Sequence, residues 1–188
     1  MATELVRHLS AAELAEGLPA ILAAPRGVGT VELVVRRPAE GEREVLEAGE
    51  LDLVEGVVGD SWRHRGSRST PDGSANPEMQ LNVMSARVVD LVAAGDRDRW
   101  GLAGDQLYLD LDLSEEQLPA GTRLAVGDAV IEVTALPHTG CAKFMQRFGV
   151  DAHKFVNAKE HRPLRLRGLC AKVVEPGTVR PGDAVRTL

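Results

Sequence analysis

Short apolar segments separated by Gly-Asp pairs are the sequence feature that most constrains the fold. Such pairs recur, among other places, at Gly59-Asp60, Gly104-Asp105, Gly127-Asp128 and Gly182-Asp183. Glycine accepts backbone angles that other residues avoid, and aspartate hydrogen-bonds to neighbouring backbone amides, so this dipeptide is typical of tight turns. The pattern therefore predicts many short strands joined by turns.

The predicted strands cover most of the chain after residue 27. They are VELVVRR and REVLEAGELDL, followed by stretches near residues 80–85, 105–113, 122–136, 164–175 and 183–188. Aromatic residues make up only 3% of the sequence, so small aliphatic side chains must fill the core. Residues 9–23 predict a helix that begins with a capping box of Ser10 and Glu13. Since βαβ units are not evident, we predict a mainly β fold, an antiparallel barrel or sandwich with a few helices.

Composition and charge narrow the class of protein. The 188 residues, 44% of them hydrophobic, suit one compact domain. No apolar run approaches the roughly eighteen residues that cross a bilayer, and the N-terminus lacks the basic flank and apolar centre of a secretory signal. The net charge of -6 argues against sequence-independent binding to nucleic acid or to an anionic membrane. We therefore expect a cytoplasmic protein with neither nucleic acid nor membrane as a partner.

The pattern becomes helical in residues 137–168, PHTGCAKFMQRFGVDAHKFVNAKEHRPLRLRG. Apolar side chains recur at helical spacing on one face: Cys141, Phe144, Met145 and Phe148. This spacing predicts a helix from Cys141 to Gly149. A second helix is predicted with Asp151 as its cap, running roughly to Lys159 and ended by Pro163.

The two cysteines require separate interpretations. At a helix N-terminus, free backbone N–H groups and the helix dipole would favour a reactive or metal-binding thiolate at Cys141. The alternative is a small buried thiol that only packs. Cys170 lies in the apolar segment LCAKVV and is predicted to pack in the core, unless the fold brings it beside Cys141 as a resolving thiol. A zinc site at His138 and Cys141 is disfavoured because a second nearby cysteine is missing.

Positive charge is concentrated around Cys141. From His138 to Lys172 the chain has eight basic and two acidic residues, a local net charge of +6 against -6 for the whole chain. This surplus predicts a small phosphorylated partner. Arg63, Arg65 and Arg68 in the polar loop of residues 61–77 would add bidentate contacts. The alternative is that the basic residues pair with surface carboxylates at Glu40, Glu42, Glu44, Glu47 and Glu50, and that the loop is an ordinary insertion.

These segments together resemble the MOSC domain, named from the C-terminal part of molybdenum-cofactor sulfurases. The resemblance to free-standing bacterial members rests on VELVVRRP, Gly59-Asp60, QLNVMSARV, GDQLYLDLDLSEEQLPAGTRLAVGDAVIEVT, PHTGCAKFMQRFG and VVEPGTVRPGDAV. It implies a MOSC-like β-barrel with a few helices over residues 28–188, preceded by an N-terminal helical extension at residues 1–27.

The resemblance also implies roles for individual residues. Cys141 would be the family's cysteine, acting as a sulfur carrier or as a ligand of molybdenum. Resemblance and local charge give the candidates for anion or pterin contacts: Arg63, Arg65, Asn82, His138, Lys143, Arg147 and Arg165.

Three hypotheses about function stay open at this point. Cys141 would relay sulfur as a persulfide to a metal centre or another acceptor. Alternatively, Cys141 would ligate molybdenum in a bound pterin cofactor, and the protein would reduce N-oxygenated substrates. A third hypothesis is a non-catalytic module that binds or carries the cofactor. The sequence contains no aminotransferase-like segment, so we expect pyridoxal phosphate only through a separate cysteine desulfurase, and electrons from a separate redox partner.

Overall fold

The computed structural model describes residues 6–67 and 69–188, so the predicted contact of Arg68 lies outside the described residues. The strands are β1 (Val28–Arg36), β2 (Glu44–Val45), β3 (Gly49–Asp52), β4 (Gly56–Val57), β5 (Leu81–Ser85), β6 (Leu107–Asp110), β7 (Arg123–Val126), β8 (Ala129–Pro137), β9 (Leu169–Glu175), β10 (Gly177–Val179) and β11 (Ala184–Thr187). The α-helices are α1 (Ala11–Leu22), α2 (Trp62–Arg65), α3 (Ala86–Val92), α4 (Ala142–Phe148) and α5 (Val150–Asn157). Three 3₁₀ helices span Pro77–Met79, Arg97–Ala103 and Lys159–Leu164.

Seven of these strands close into a barrel. They follow the order β1-β6-β5-β9-β8-β7-β11, and β11 pairs back onto β1. Strands β5 and β6 run parallel, whereas the other neighbours in the ring are antiparallel. Strand β2 adds to β1 outside the ring, and β10, β3 and β4 form a separate small sheet. The prediction of a mainly β barrel with a few helices is confirmed.

The Gly-Asp turns behave as the sequence predicts. The glycines of the four pairs named above have positive φ: Gly59 at 80°, Gly104 at 93°, Gly127 at 56° and Gly182 at 92°. An L side chain is strained at such angles, so glycine is the residue that permits these turns. The turn at Gly127, for example, joins β7 directly to β8.

The barrel wall is buried on both of its faces where helices cover it. Because successive strand residues point to opposite faces, Val34 joins the core inside the barrel, whereas Leu33 and Val35 join an outer core. Met84 and Tyr108 extend this outer core across β5 and β6. The helices complete it with side chains that include Leu14, Val89, Phe144 and Phe148. The second core fixes α4 against the outside of the barrel.

Helix α1 begins as predicted. The Glu13 carboxylate accepts from the Ser10 amide at 2.9 Å, and the Ser10 hydroxyl accepts from the Glu13 amide at 3.4 Å, which completes the capping box. The helix packs against α3 and α5. Among the described residues, no helix has both the length and the apolar character needed to cross a membrane.

The region after β8 confirms one helix prediction and corrects two details. Helix α4 starts at Ala142 with Cys141 as its N-cap and ends before Gly149, as predicted. The prediction that Asp151 caps the next helix is wrong, because Gly149 precedes α5 and the Asp151 carboxylate accepts from the Ala11 amide at 3.2 Å instead. Strand β9 begins at Leu169 rather than near residue 164, since the preceding residues form a 3₁₀ helix and a left-handed turn.

Candidate functional site

A cleft of about 510 Å³ lies on the outside of the barrel beside the start of α4. Arg37 directly follows β1 and shares the outward side of Leu33 and Val35, while Asn82 shares the outward side of Met84 in β5. Six basic residues line the cleft: Arg37, Arg43, Arg65, Lys143, Arg147 and Arg167. They come from four separate parts of the chain, so only the folded barrel brings them together.

The exposed thiol of Cys141 lies on the wall of this cleft. Its residue is the N-cap of α4, and its backbone oxygen accepts from the Met145 amide at 3.1 Å. The alternative that Cys141 is a buried packing thiol is therefore wrong. Its position instead leaves the sulfur open to a ligand in the cleft or to another protein.

Cys170 has the opposite environment. It is fully buried in β9, and its sulfur lies 3.8 Å from the side-chain oxygen of Asn82. Burial raises the pKa of the Cys170 thiol to about 11, so it stays protonated near neutral pH. The prediction that Cys170 packs in the core is confirmed.

The segment that carries Cys141 is held by Gly140. The Asn157 side chain of α5 accepts from the Gly140 amide at 2.9 Å and donates to the Gly140 carbonyl at 3.2 Å. The His153 ring also contacts this carbonyl, at 3.0 Å. A Cβ atom on Gly140 would stand only 2.9 Å from the Asn157 side-chain nitrogen, so a larger residue at position 140 would displace the Asn157 side chain.

A buried carboxylate, Asp105, organises the floor of the cleft. The Arg167 guanidinium donates to both Asp105 oxygens, at 2.9 and 2.7 Å, and to the Ala103 carbonyl at 3.0 Å. His138 Nε2 lies 2.8 Å from an Asp105 oxygen. Burial acts to raise the pKa of Asp105, but the charge of Arg167 and the hydrogen bond from His138 outweigh burial and leave that pKa below its usual value.

This arrangement sets the proton positions on His138. Burial and the charge of Arg167 lower the pKa of His138, which favours its neutral form. Because the ionised Asp105 only accepts hydrogen bonds, the proton of neutral His138 is assigned to Nε2, and Nδ1 is left as an acceptor. His138 is one of the residues that line the cleft.

A second buried ion pair, between Arg37 and Asp60, fixes Arg37 in the wall of the cleft. Arg37 donates from two nitrogens to the two Asp60 oxygens, each at 2.9 Å, and to the Gly104 carbonyl at 2.8 Å. Burial acts to raise the pKa of Asp60, but hydrogen bonds and charge from Arg37 leave it below its usual value. Asp60 also accepts from the Trp62 amide at 2.8 Å, which anchors the helix that carries Arg65.

Positive charge remains in excess after these pairs are formed. Burial, with the neighbouring charges of Arg147 and Arg37, lowers the pKa of Arg43, and burial and Arg37 lower the pKa of Arg65. Lowered arginine pKa values mark cations that are partly desolvated and repel one another. Lys143 pairs with Glu40, but both side chains are more than half exposed, so this pair is weak. The excess positive charge of the cleft therefore favours the binding of an anion.

The cleft unites most of the predicted site residues. Those on its walls are Arg65, Asn82, His138, Cys141, Lys143 and Arg147. Arg63 lies in α2 without lining the cleft, and Arg165 lines a neighbouring cavity. The alternative of pairing with surface acids does hold for Lys143 with Glu40.

Sequence reasoning missed five further site residues: Arg37, Arg43, Asp60, Asp105 and Arg167. Two of them carried a signal, because Asp60 and Asp105 belong to the Gly-Asp pairs that were interpreted only as turns. Among residues 6–67 and 69–188, no group of three or more His, Cys, Asp or Glu side chains is placed to hold a metal ion.

Comparison with known proteins identifies the class. The sequence profile described as "MOSC domain" matches residues 53–186, and the chain therefore belongs to the MOSC domain family. None of the curated proteins compared with the chain matches it.

Solved structures share the fold. YuaD from Bacillus subtilis is 16% identical with a TM-score of 0.63, over 87% of this chain and 97% of that one. YiiM from Escherichia coli is 18% identical with a TM-score of 0.52, over 85% of this chain and 69% of that one. YiiM from Geobacillus stearothermophilus is 12% identical with a TM-score of 0.51, over 87% of this chain and 74% of that one. At these identities the likeness concerns the fold alone.

Proposed function

We propose that this protein binds the phosphorylated pterin form of the molybdenum cofactor in the Cys141 cleft, with Cys141 as the protein's ligand to the metal. The observation that carries the proposal is an exposed thiol on the wall of a cleft whose cations outnumber its carboxylates. Family membership supports the same ligand, since MOSC domains are associated with this cofactor.

The residues present fit such a group. The Ser61 hydroxyl borders the cleft, is buried, and has no hydrogen-bond partner among the described residues, as expected of a group that meets a ligand. Arg43, Arg65 and Arg147 would hold the phosphate, because guanidinium groups bind it in bidentate fashion. The Asn82 amide offers a donor and an acceptor to a pterin edge. A soft thiolate suits the metal.

When bound, the cofactor would supply two-electron redox chemistry at molybdenum. The chain's own part is to orient the ligand. Asp105 holds His138 Nε2, so Nδ1 would accept a hydrogen bond from a group that enters the cleft. The Asn157 side chain binds the Gly140 backbone and so keeps the Cys141 segment in place.

The exposure of Cys141 favours sulfur relay as a second candidate function. A Cys141 thiolate would attack the outer sulfur of a persulfide on a cysteine desulfurase, the protein that would carry the pyridoxal phosphate. A new S–S bond forms on Cys141, the donor's S–S bond breaks, and the donor leaves as a thiolate. Lys143 and Arg147 would stabilise the resulting persulfide anion by their charge.

The deciding experiment measures molybdenum, pterin and sulfane sulfur in protein purified from a host that makes the cofactor. Wild type is compared with Cys141→Ser and with Cys170→Ser as the matched control. Molybdenum and pterin near one equivalent in wild type and Cys170→Ser, but lost in Cys141→Ser, would support cofactor binding. Protein without molybdenum that takes up one sulfane sulfur at Cys141 would contradict it and support the relay.

A second measurement separates the reductase from the carrier. Metal-loaded protein is mixed with a chemical electron donor and an N-hydroxylated substrate, and loss of the N–O bond is followed. Turnover that depends on Cys141 would identify a reductase, whereas loaded protein without turnover would identify a carrier.

A further inference from the structure

A second cavity, of about 580 Å³, adjoins the Cys141 cleft. The two share His138, Thr139 and Arg167 as a common wall. A molecule in the second cavity would therefore contact the same His138 that borders the cleft. The end of β8 and the turn before β9 form its other walls.

Arg165 places a positive charge in this cavity. Its backbone has a φ of 48°, a left-handed angle that is strained for arginine, and one guanidinium nitrogen donates to the Leu118 carbonyl at 2.6 Å. The side chain is partly buried, and burial lowers the pKa of Arg165. Among the described residues, no carboxylate lies within ion-pair distance of it. Glu115, on the wall of the same cavity, acts on Arg165 through its charge, but this effect does not outweigh burial. The remaining donors of Arg165 are thus partly desolvated without a directly bound carboxylate.

Arg167 provides an independent sign of a missing ligand. Its residue is only 5% exposed and lines the cavity. While its other two nitrogens bind Asp105 and Ala103, its Nε has no partner among the described residues. Buried donors are normally satisfied, so the unpaired Nε of a residue that lines both the second cavity and the Cys141 cleft supports a ligand acceptor at their common wall.

The remaining walls define what kind of acceptor fits. Leu136, Val156 and Leu169 supply apolar surface, and Glu115 supplies a negative charge. The apolar walls favour an organic body over a free inorganic ion. The nitrogens of the Arg165 guanidinium that remain available match the two oxygens of a carboxylate. The negative charge of Glu115 disfavours a doubly charged phosphate.

We infer that this cavity is a binding site for a small organic carboxylate with an apolar body, held by Arg165 and Arg167. Its place beside His138 makes it the substrate site of the reaction proposed for the Cys141 cleft, and that assignment rests on the proposed function. Binding of the carboxylate itself does not depend on a loaded cofactor.

The test uses 4-nitrobenzoate and its neutral counterpart 4-nitrobenzamide, titrated into the full chain by calorimetry. Wild type should bind the carboxylate at least tenfold more tightly than the amide. Arg165→Gln should remove this preference and Arg165→Lys should restore part of it. Arg186→Gln, at an exposed position of β11, is the matched control and should bind like wild type.

A steric variant covers the case in which Arg165→Gln fails to fold. Ala135 is exposed at the cavity rim, and Ala135→Phe should exclude both probes without changing charge. The inference is overturned if wild type does not bind millimolar 4-nitrobenzoate. It is also overturned if binding survives Ala135→Phe and is lost in Arg147→Gln, because the probe would then lie in the Cys141 cleft. Failure of the proposed function would show as absent molybdenum with carboxylate binding intact.

Discussion

Asp105→Asn removes the only carboxylate that neutralises the buried Arg167 within the described part of the chain. The Asp105 side chain is 0% exposed, and its partners Arg167 and His138 are 6% and 10% exposed. Removing one member of a buried pair costs about 3–5 kcal/mol, because the other charge stays buried without compensation. Since domains of this size are stable by only about 5–15 kcal/mol, the variant should lose a large share of its stability.

Urea denaturation followed by circular dichroism measures this loss. The double variant Asp105→Asn with Arg167→Met should be less destabilised than the sum of the two single variants, because neither charge is then left alone. Asp128→Asn is the control, since its pair with Arg180 is exposed and spans 3.8 Å. An Asp105→Asn protein within about 1 kcal/mol of wild type would refute the inference that the buried pair anchors the site.

Three further predictions concern the same site. Because the pKa of His138 is lowered in the folded protein, its contribution to stability is present above the unfolded pKa of about 6.5 and is lost as the pH falls below it. His138→Gln should reduce the slope of stability below pH 6.5 by up to about 1.4 kcal/mol per pH unit in urea titrations, and an unchanged slope would contradict this. Glu40→Gln frees Lys143 and should raise the affinity of the cleft for inorganic phosphate several-fold by calorimetry; unchanged or weaker binding would exclude Glu40 as a competitor for that cation. Iodoacetamide should modify Cys141 and spare Cys170 in the native protein, and mass spectrometry that finds both thiols modified at equal rates would contradict the assigned environments.

Local patterns predicted the parts of this fold that local interactions decide. The capping box of α1, the start of α4 at Cys141 and the positive φ of the turn glycines all depend on residues a few positions apart. Asp151 shows the limit of this reasoning. It was predicted to cap α5, but its carboxylate accepts a hydrogen bond from the Ala11 amide, which is distant in the sequence.

The site was harder to predict because its partners are far apart in the sequence. Asp60 pairs with Arg37 and Asp105 pairs with Arg167, and these partners are separated by 23 and 62 positions. Charge counting found the region around Cys141, but it could not separate Arg147, which lines the cleft, from Arg165, which lines the neighbouring cavity. That distinction depends on the left-handed turn at Arg165 and the late start of β9.

The pairing of β1 with β11 has a consequence for synthesis on the ribosome. Val28 lies opposite Arg186 and Thr30 opposite Ala184. The ring of strands therefore closes only after the last strand, β11, has been translated. Until then, β1 and β7 each present an unpaired edge to other chains. Substitutions that weaken β11 should therefore lower the yield of soluble protein through aggregation of nascent chains, even though they lie far from the cleft.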